Sequence, residues 1–271
     1  MFLVTQFTEI GLIPPLLRVL TEENYTTPTP VQSQSIPPLL TGRDLLGVAQ
    51  TGTGKTAAFA LPILQRLHTH GRPTPRRSCR TLVLSPTREL ASQIRESFKT
   101  YGRYLPFTST SIFGGVPIGR QIRDIGKGFD IIVATPGRLM DLMNRKVIKL
   151  NEIEFVVLDE ADEMLNMGFK EDIDDILKYT PVTKSVWLFS ATMPKEVANI
   201  AANYMIDPLE ISIGHKNQGN ENIHHIYYLV YEKDRYPALK RLIDFNPDIY
   251  GLIFCRTKNE TANVAQKLSR D

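Results

Sequence analysis

The sequence predicts an α/β fold built on a mainly parallel sheet flanked by helices. Three observations carry that expectation. Short runs, "DLLGVA", "RTLVLS", "STSIF", "DIIVAT", "FVVLD" and "SVWLFS", are apolar and β-branched along their whole length rather than alternating. Such runs fit strands covered on both faces. Between them lie longer stretches with helical spacing, among them Lys55–His68, Arg88–Tyr101 and Lys195–Tyr204. Strands alternating with helices give right-handed crossovers and a parallel sheet. Finally, polar residues sit just past the runs: Lys55, Arg88, Asp159 with Glu160, and Ser190 with Thr192. Open sheets of this kind bind ligands beyond the carboxyl ends of their strands.

The elements follow in chain order. In "YTTPTPVQ", Tyr25 to Gln32, Thr29 can cap a helix with Pro30 in its first turn. Gln32 then projects from that turn, where its amide can pair with adenine at N6 and N7 and disfavour guanine. Tyr25 can stack on the base. After "DLLGVA" comes "AQTGTGKT", Ala49 to Thr56. Gly52 and Gly54 permit positive φ and a close approach of backbone to phosphate. The loop amides and the following helix N-terminus form an anion nest, Lys55 reaches the terminal phosphates, and Thr56 can bind Mg²⁺. The usual pattern G-x-x-x-x-G-K-[ST] has glycine where this chain has Ala49. "VVLDEAD" supplies a metal partner in Asp159, expected on a strand next to the phosphate strand, with Glu160 placed to activate water. The ordinary alternative for such a pair is a helix cap.

Near 214–222, "GHKNQGNEN" is polar and lacks apolar periodicity, as a linker would. Residues 1–213 form one expected domain. Residues 223–271 form the start of another: a strand "IHHIYYLVY", a helix Asp234–Phe245, a strand "GLIFC" and a helix from Lys258. Roughly 50 residues make a poor core by size.

Composition narrows the class. Of 271 residues, 42% are hydrophobic and 23% charged, ordinary values for a globular protein. The net charge of +3 is too small to name a partner, but its distribution is uneven. Arg66 to Arg103 is a basic zone, including the loop "THGRPTPRRS", and Glu152 to Asp175 is an acidic one. A basic zone suits phosphate backbone and an acidic zone suits a divalent cation. Two distant cysteines exclude a disulfide framework, and no apolar run approaches the ~20 residues of a membrane span. The expectation is a cytoplasmic protein without a secretion signal.

Taken together, these motifs resemble the DEAD-box ATP-dependent RNA helicases of superfamily 2, of the bacterial RhlE-like or cold-shock type. Phe7 with "TPTPVQ" is similar to the family's Q motif, and "AQTGTGKT", Ala49 included, to its motif I. "PTREL" from Pro86, "GG" at Gly114–Gly115, "TPGR" at Thr135–Arg138, "DEAD" at Asp159–Asp162, "SAT" at Ser190–Thr192 and "LIFCRTK" from Leu252 resemble later motifs in order. The resemblance implies a RecA-like P-loop domain, followed by the incomplete start of a second. It implies an ATP site of Phe7, Tyr25, Gln32, Thr51, Gly52, Thr53, Gly54, Lys55 and Thr56, in which Gln32 and Tyr25 hold adenine and Phe7 packs behind the Q loop, with Mg²⁺ at Thr56 and Asp159, partly through water. Lys55, Asp159 and Glu160 would be catalytic, and Asp162, Ser190 and Thr192 would couple the nucleotide to the domain interface. RNA backbone would lie against Pro86, Thr87, Arg88, Gly114, Gly115, Thr135, Pro136, Gly137 and Arg138. The implied activity is ATP-dependent unwinding of RNA; a nucleotide-gated RNA clamp is the alternative. The family's second domain brings arginines in "ARGxD" and "HRxGRxGR", which these residues lack. This chain is therefore expected to bind ATP and hydrolyse it poorly.

Overall fold

The computed structural model describes residues 6–213, 224 and 226–270. The chain divides into two units, Met1–Gln218 and Gly219–Asp271. In the first, the strands are β1 (Leu45–Val48), β2 (Cys79–Leu84), β3 (Ser109–Ile112), β4 (Phe129–Ala134), β5 (Phe155–Asp159), β6 (Ser185–Ser190) and β7 (Leu209–Ser212). All pairings are parallel, in the order β3-β4-β2-β5-β6-β1-β7. The helices are α1 (Pro14–Glu22), α2 (Pro30–Leu40), α3 (Lys55–Thr69), α4 (Arg88–Tyr101), α5 (Ile118–Ile125), α6 (Pro136–Asn144), α7 (Ala161–Asn166), α8 (Lys170–Lys178) and α9 (Lys195–Tyr204).

Two apolar layers cover the two faces of the sheet. Side chains along a strand alternate between faces. Accordingly Val83, Val133, Val157 and Trp187 enter one cluster with α3 and α4, through Phe59, Leu61, Ile94 and Phe98. Their chain neighbours Leu82, Leu84, Ile132, Val156, Leu158 and Leu188 enter the other, with Leu139, Ile173 and Ile200 from α6, α8 and α9. Both faces are apolar, so β4, β5 and β6 read as largely continuous apolar runs. The six expected runs are all strands of this sheet.

The strand order corrects one expectation. Asp159 does not lie on the strand next to the phosphate strand: β6 stands between β5 and β1. After β4 the chain returns and fills the interval between β2 and β1 with β5 and β6. Register keeps the ends level nonetheless, with Asp159 opposite Phe189 and Val48 opposite Ser190.

The charge zones are also not single faces. Glu152 and Glu154 precede β5 and pair with Arg72 and Arg80, whereas Asp159 to Asp162 lie past its carboxyl end. In the basic zone, Arg103 turns to Glu22 and Glu23, and Arg66 donates to the Leu40 carbonyl.

The expected linker lies outside the described residues. In the second unit, α10 (Arg235–Phe245) and α11 (Lys258–Arg270) match the two expected helices. The expected strands do not form among the described residues, and Leu229 and Phe254 are exposed. A strand exists only by hydrogen bonding to a neighbour, and the described part of this unit offers none.

Candidate nucleotide and RNA site

The loop between β1 and α3 is built by its glycines. Gly52 and Gly54 have φ of 84° and 92°, values that L side chains adopt only under strain. These turns carry the chain from a buried strand into the first turn of α3, leaving the helix's amide donors facing one cleft. Thr53 closes the loop internally, its hydroxyl donating to the Gln50 carbonyl at 2.7 Å. Lys55 is buried and folds back, Nζ donating to the Ala49 carbonyl at 3.0 Å, which leaves two of its donors for a ligand. The cleft has a volume of about 280 Å³, and Thr51, Gly52, Gly54, Lys55 and Thr56 line it with Asp159 and Glu160.

The carboxylates enter from the end of β5. Asp159 is 3% exposed, and its Oδ1 has no hydrogen-bond partner among the described residues. Burial pushes its pKa up to about 6; Lys55 opposes the shift and Glu160 adds to it. A buried carboxyl in that state calls for a cation, and phosphate oxygens beside Lys55 would complete the ligand set. Asp159 and Thr56 thus fit the expected magnesium site. Glu160 stands in the left-handed region at φ 55°, ψ 52°, before α7. A non-glycine residue held there marks a constrained position. Its Oε1 accepts from the Thr51 hydroxyl at 3.4 Å, a bond joining the two sides of the cleft.

Asp162, Ser190 and Thr192 come together as one network. Thr192 donates to Asp162 Oδ2 from its amide at 2.9 Å and its hydroxyl at 2.7 Å, and the Asp162 amide donates to Ser190 Oγ at 3.3 Å. Burial raises the Asp162 carboxyl, but the hydrogen bonds from Thr192 and Ser190 outweigh it and leave the pKa lowered. The same Ser190 accepts the Ala49 amide on its carbonyl at 2.9 Å, so this network continues into the start of the phosphate loop.

Gln32 stands in the first turn of α2 behind the Thr29 cap, as expected, with its amide already engaged. It is 1% exposed, its Oε1 accepts the Thr29 amide at 2.9 Å, and its Nε2 donates to the Gly54 carbonyl at 3.2 Å. It borders the cleft with one amide hydrogen and one lone pair left. Tyr25 also lines the cleft and meets Tyr101 edge-on, with ring centroids 6.1 Å apart. Phe7 does not line it: the ring is buried in the core with Val31. A benzyl group at an apolar helix turn gains more from that cluster than from a wet cleft. Leu90, Ser97 and Tyr101 of α4 complete the wall, and sequence reasoning missed them. Their only signal was the spacing of 90, 97 and 101 along one helical face.

The remaining motif residues cluster past the carboxyl ends of β2, β3 and β4. Thr87 caps α4 by accepting the Leu90 amide at 3.2 Å, and Pro86 is buried beside it. Arg88 is exposed, pairs with Glu89 at 3.1 Å, and lies across Gly115, where a Cβ would meet its guanidinium at 2.5 Å. Gly115 has φ 81°, a backbone conformation that favours glycine. Arg138 donates to the Val116 carbonyl at 3.2 Å and to Gln121 Oε1 at 2.9 Å, while Gln121 Nε2 donates to the Phe113 carbonyl at 3.2 Å. Gly114 is thereby held within a loop braced at both ends. Thr135 and Pro136 are buried at the start of α6, and Gly137 is exposed. Two half-free guanidiniums and a set of exposed loop amides suit a phosphodiester chain.

Known proteins agree with this arrangement. Residues 29–200 match the family model described as DEAD/DEAH box helicase. The chain is 43% identical over 266 residues to the DEAD-box ATP-dependent RNA helicase CshA of Bacillus cereus, covering 98% of this chain and 50% of that protein. It is 41% identical over 263 residues to the ATP-dependent RNA helicase DeaD of Mycobacterium tuberculosis, covering 97% and 46%. The chain thus spans about half the length of these curated relatives. The crystal structure of a DEAD box protein from the hyperthermophile Methanococcus jannaschii superposes with a TM-score of 0.72 at 37% identity, over 98% of this chain and 70% of that one. With the glycine loop, the acidic strand end and the Ser190–Asp162 network in one parallel sheet, the chain belongs to the DEAD/DEAH box helicase family.

Proposed function

We propose that this chain binds ATP with magnesium in the cleft between the glycine loop and β5, and grips RNA backbone along the loops past β2, β3 and β4. The observation that carries the reading is the unpartnered buried oxygen of Asp159 in the cleft it shares with Lys55. The loop amides and Lys55 hold the phosphates. Asp159 and Thr56 hold the magnesium ion, which when bound offsets charge that develops on the phosphates. Glu160 orients the attacking water and takes its proton. The Asp162–Thr192 bonds report the state of the cleft to a second domain. The activity is that of an ATP-dependent RNA helicase working in the cytoplasm. These 271 residues alone bind ATP and turn it over weakly, because the arginines expected of the partner domain are not among them. Among the described residues, no helix is long and apolar enough to cross a membrane.

The test is displacement of a fluorescent ATP analogue, with and without magnesium, by the chain and its Lys55→Ala and Glu160→Gln variants. Lys55→Ala should weaken binding at least tenfold, whereas Glu160→Gln should bind normally and lose what turnover there is. Magnesium-independent binding, or turnover unchanged in Glu160→Gln, contradicts the reading. RNA-stimulated turnover at family-like rates by these residues alone would refute the weak-hydrolysis part.

A further inference from the structure

The loop "THGRPTPRRS" is not used by the site above, and it lies at the other end of the sheet. Arg76 and Arg77 stand in the connection from α3 to β2. The Arg77 carbonyl accepts the Lys149 amide at 2.7 Å, and Ser78 forms a parallel bridge with Lys149 in the α6–β5 connection. The Ser78 carbonyl accepts the Phe129 amide at 3.1 Å, which brings up Lys127 before β4. Gly128 packs so closely that a Cβ there would meet the Pro75 carbonyl at 2.5 Å. Lys146 follows α6 in the left-handed region, as does Arg77 in its own turn. Three separate connections thus deliver Arg76, Arg77, Lys127, Lys146 and Lys149 to one exposed edge.

The charge of this edge is not neutralised. Arg76, Arg77, Lys146 and Lys149 make no ion pair or side-chain hydrogen bond with any described residue. Lys127 reaches Asp124 only at 3.8 Å. The nearby acids are engaged elsewhere: Glu152 and Glu154 by Arg72 and Arg80, Asp130 by the hydroxyls of Thr74 and Thr108, and Asp141 by Arg145. Unpaired cations on rigid connections keep their field for an outside anion.

We infer that this amino-terminal edge is a second RNA phosphate-binding surface, separate from the loops past the carboxyl ends. The inference rests on the reading that the chain binds RNA. β4 separates the two surfaces, with Lys127 before its six residues and Thr135 after them. At ~3.3 Å per residue that is roughly 20 Å, so one short single strand on the motif loops does not reach the edge. A duplex flank or a long strand wrapping the domain does. Contacts of such cations to phosphate are sequence-independent and salt-sensitive.

The test is anisotropy of a fluorescein-labelled RNA duplex with a single-stranded overhang, titrated with the 271-residue chain across a salt series. Replacing Arg76→Gln, Lys146→Gln and Lys149→Gln together should weaken binding about tenfold at low salt and flatten the log–log salt slope by about 2–3. The triple variant Arg76→Lys, Lys146→Arg, Lys149→Arg should retain the slope, which separates charge from folding. ATP-analogue binding should be unchanged in both. Wild-type slope and affinity in the glutamine variant would overturn the inference. So would a loss confined to vesicles containing anionic lipid, with RNA binding intact. Failure of the unmodified chain to bind RNA at all would instead refute the proposed function, and an Arg88→Ala, Arg138→Ala control reports on that surface independently.

Discussion

The side-chain amide of Gln32 ties the backbones of Thr29 and Gly54 together, accepting the Thr29 amide at 2.9 Å and donating to the Gly54 carbonyl at 3.2 Å. The first bond caps α2 and the second fixes the last glycine of the phosphate loop. Gln32 is thereby a brace for the nucleotide cleft before any base is present. Replacing it with Ala leaves the Thr29 amide without its partner, at a cost of about 1–3 kcal/mol, and leaves the Gly54 carbonyl to the Ala58 amide alone. Gln32→Glu keeps the cap bond but sets a carboxylate against the Gly54 carbonyl. Denaturant melts should show the smaller loss of stability for Glu, whereas nucleotide affinity should fall at least as far for Glu as for Ala. Normal nucleotide affinity in Gln32→Glu would show that the brace does not shape the loop.

Gly54 and Gly52 should differ under the same substitution. Both have positive φ, which costs an alanine about 1–2 kcal/mol. A Cβ on Gly52 would meet nothing within 4 Å, whereas one on Gly54 would meet Gln32 Nε2 at 2.4 Å and Thr29 Oγ1 at 3.3 Å. Gly54→Ala therefore also expels the brace. Its thermal midpoint should drop further than that of Gly52→Ala, and ATP-analogue binding should be lost. Equal midpoints would mean that Gln32 moves aside without penalty.

Thr192 holds the Asp162 carboxyl in its charged form through two bonds. With a folded pKa below its ordinary value, the group contributes stability above about pH 4 that is lost as pH falls through the folded pKa. Thr192→Val removes the hydroxyl bond and keeps the amide bond. The Asp162 carboxyl should then titrate at higher pH, seen by carbon-detected NMR, and acid unfolding should begin at higher pH by a few tenths of a unit or more. Because Ser190 also accepts the Ala49 amide, the loss should reach the phosphate loop as weaker nucleotide binding.

How far the sequence showed this depends on whether a signal is local. Strands covered on both faces leave continuous apolar runs, so "LVLS" and "FVVLD" were legible. β7 was not: it is an edge strand with one neighbour, and Glu210 interrupts its four residues with an exposed charge. The order of strands leaves no local trace, which is why Asp159 was placed one strand too near the loop. Loop geometry was legible where a residue's own backbone sets it, as at Gly52 and Gly54. It was incomplete where a tertiary partner takes part, as for the bond from Gln32 to Gly54. The two runs of the second unit read as strands because apolar content is local, whereas pairing is not.

Arg138 carries the last separation, between charge and position. Its guanidinium holds the Val116 carbonyl and Gln121, and Gln121 in turn holds the Phe113 carbonyl, so the loop with Gly114 and Gly115 is shaped by the same cation that we propose faces RNA. Gln121→Ala removes the shaping and leaves the charge. RNA affinity should then fall several-fold with an unchanged salt slope. Arg138→Ala removes both, and its salt slope should flatten by about 1. Arg138→Lys keeps a cation without the planar fork that spans two acceptors, so it should resemble Gln121→Ala rather than wild type. A flattened slope in Gln121→Ala would mean that Gln121 holds no loop and that Arg138 alone positions the RNA.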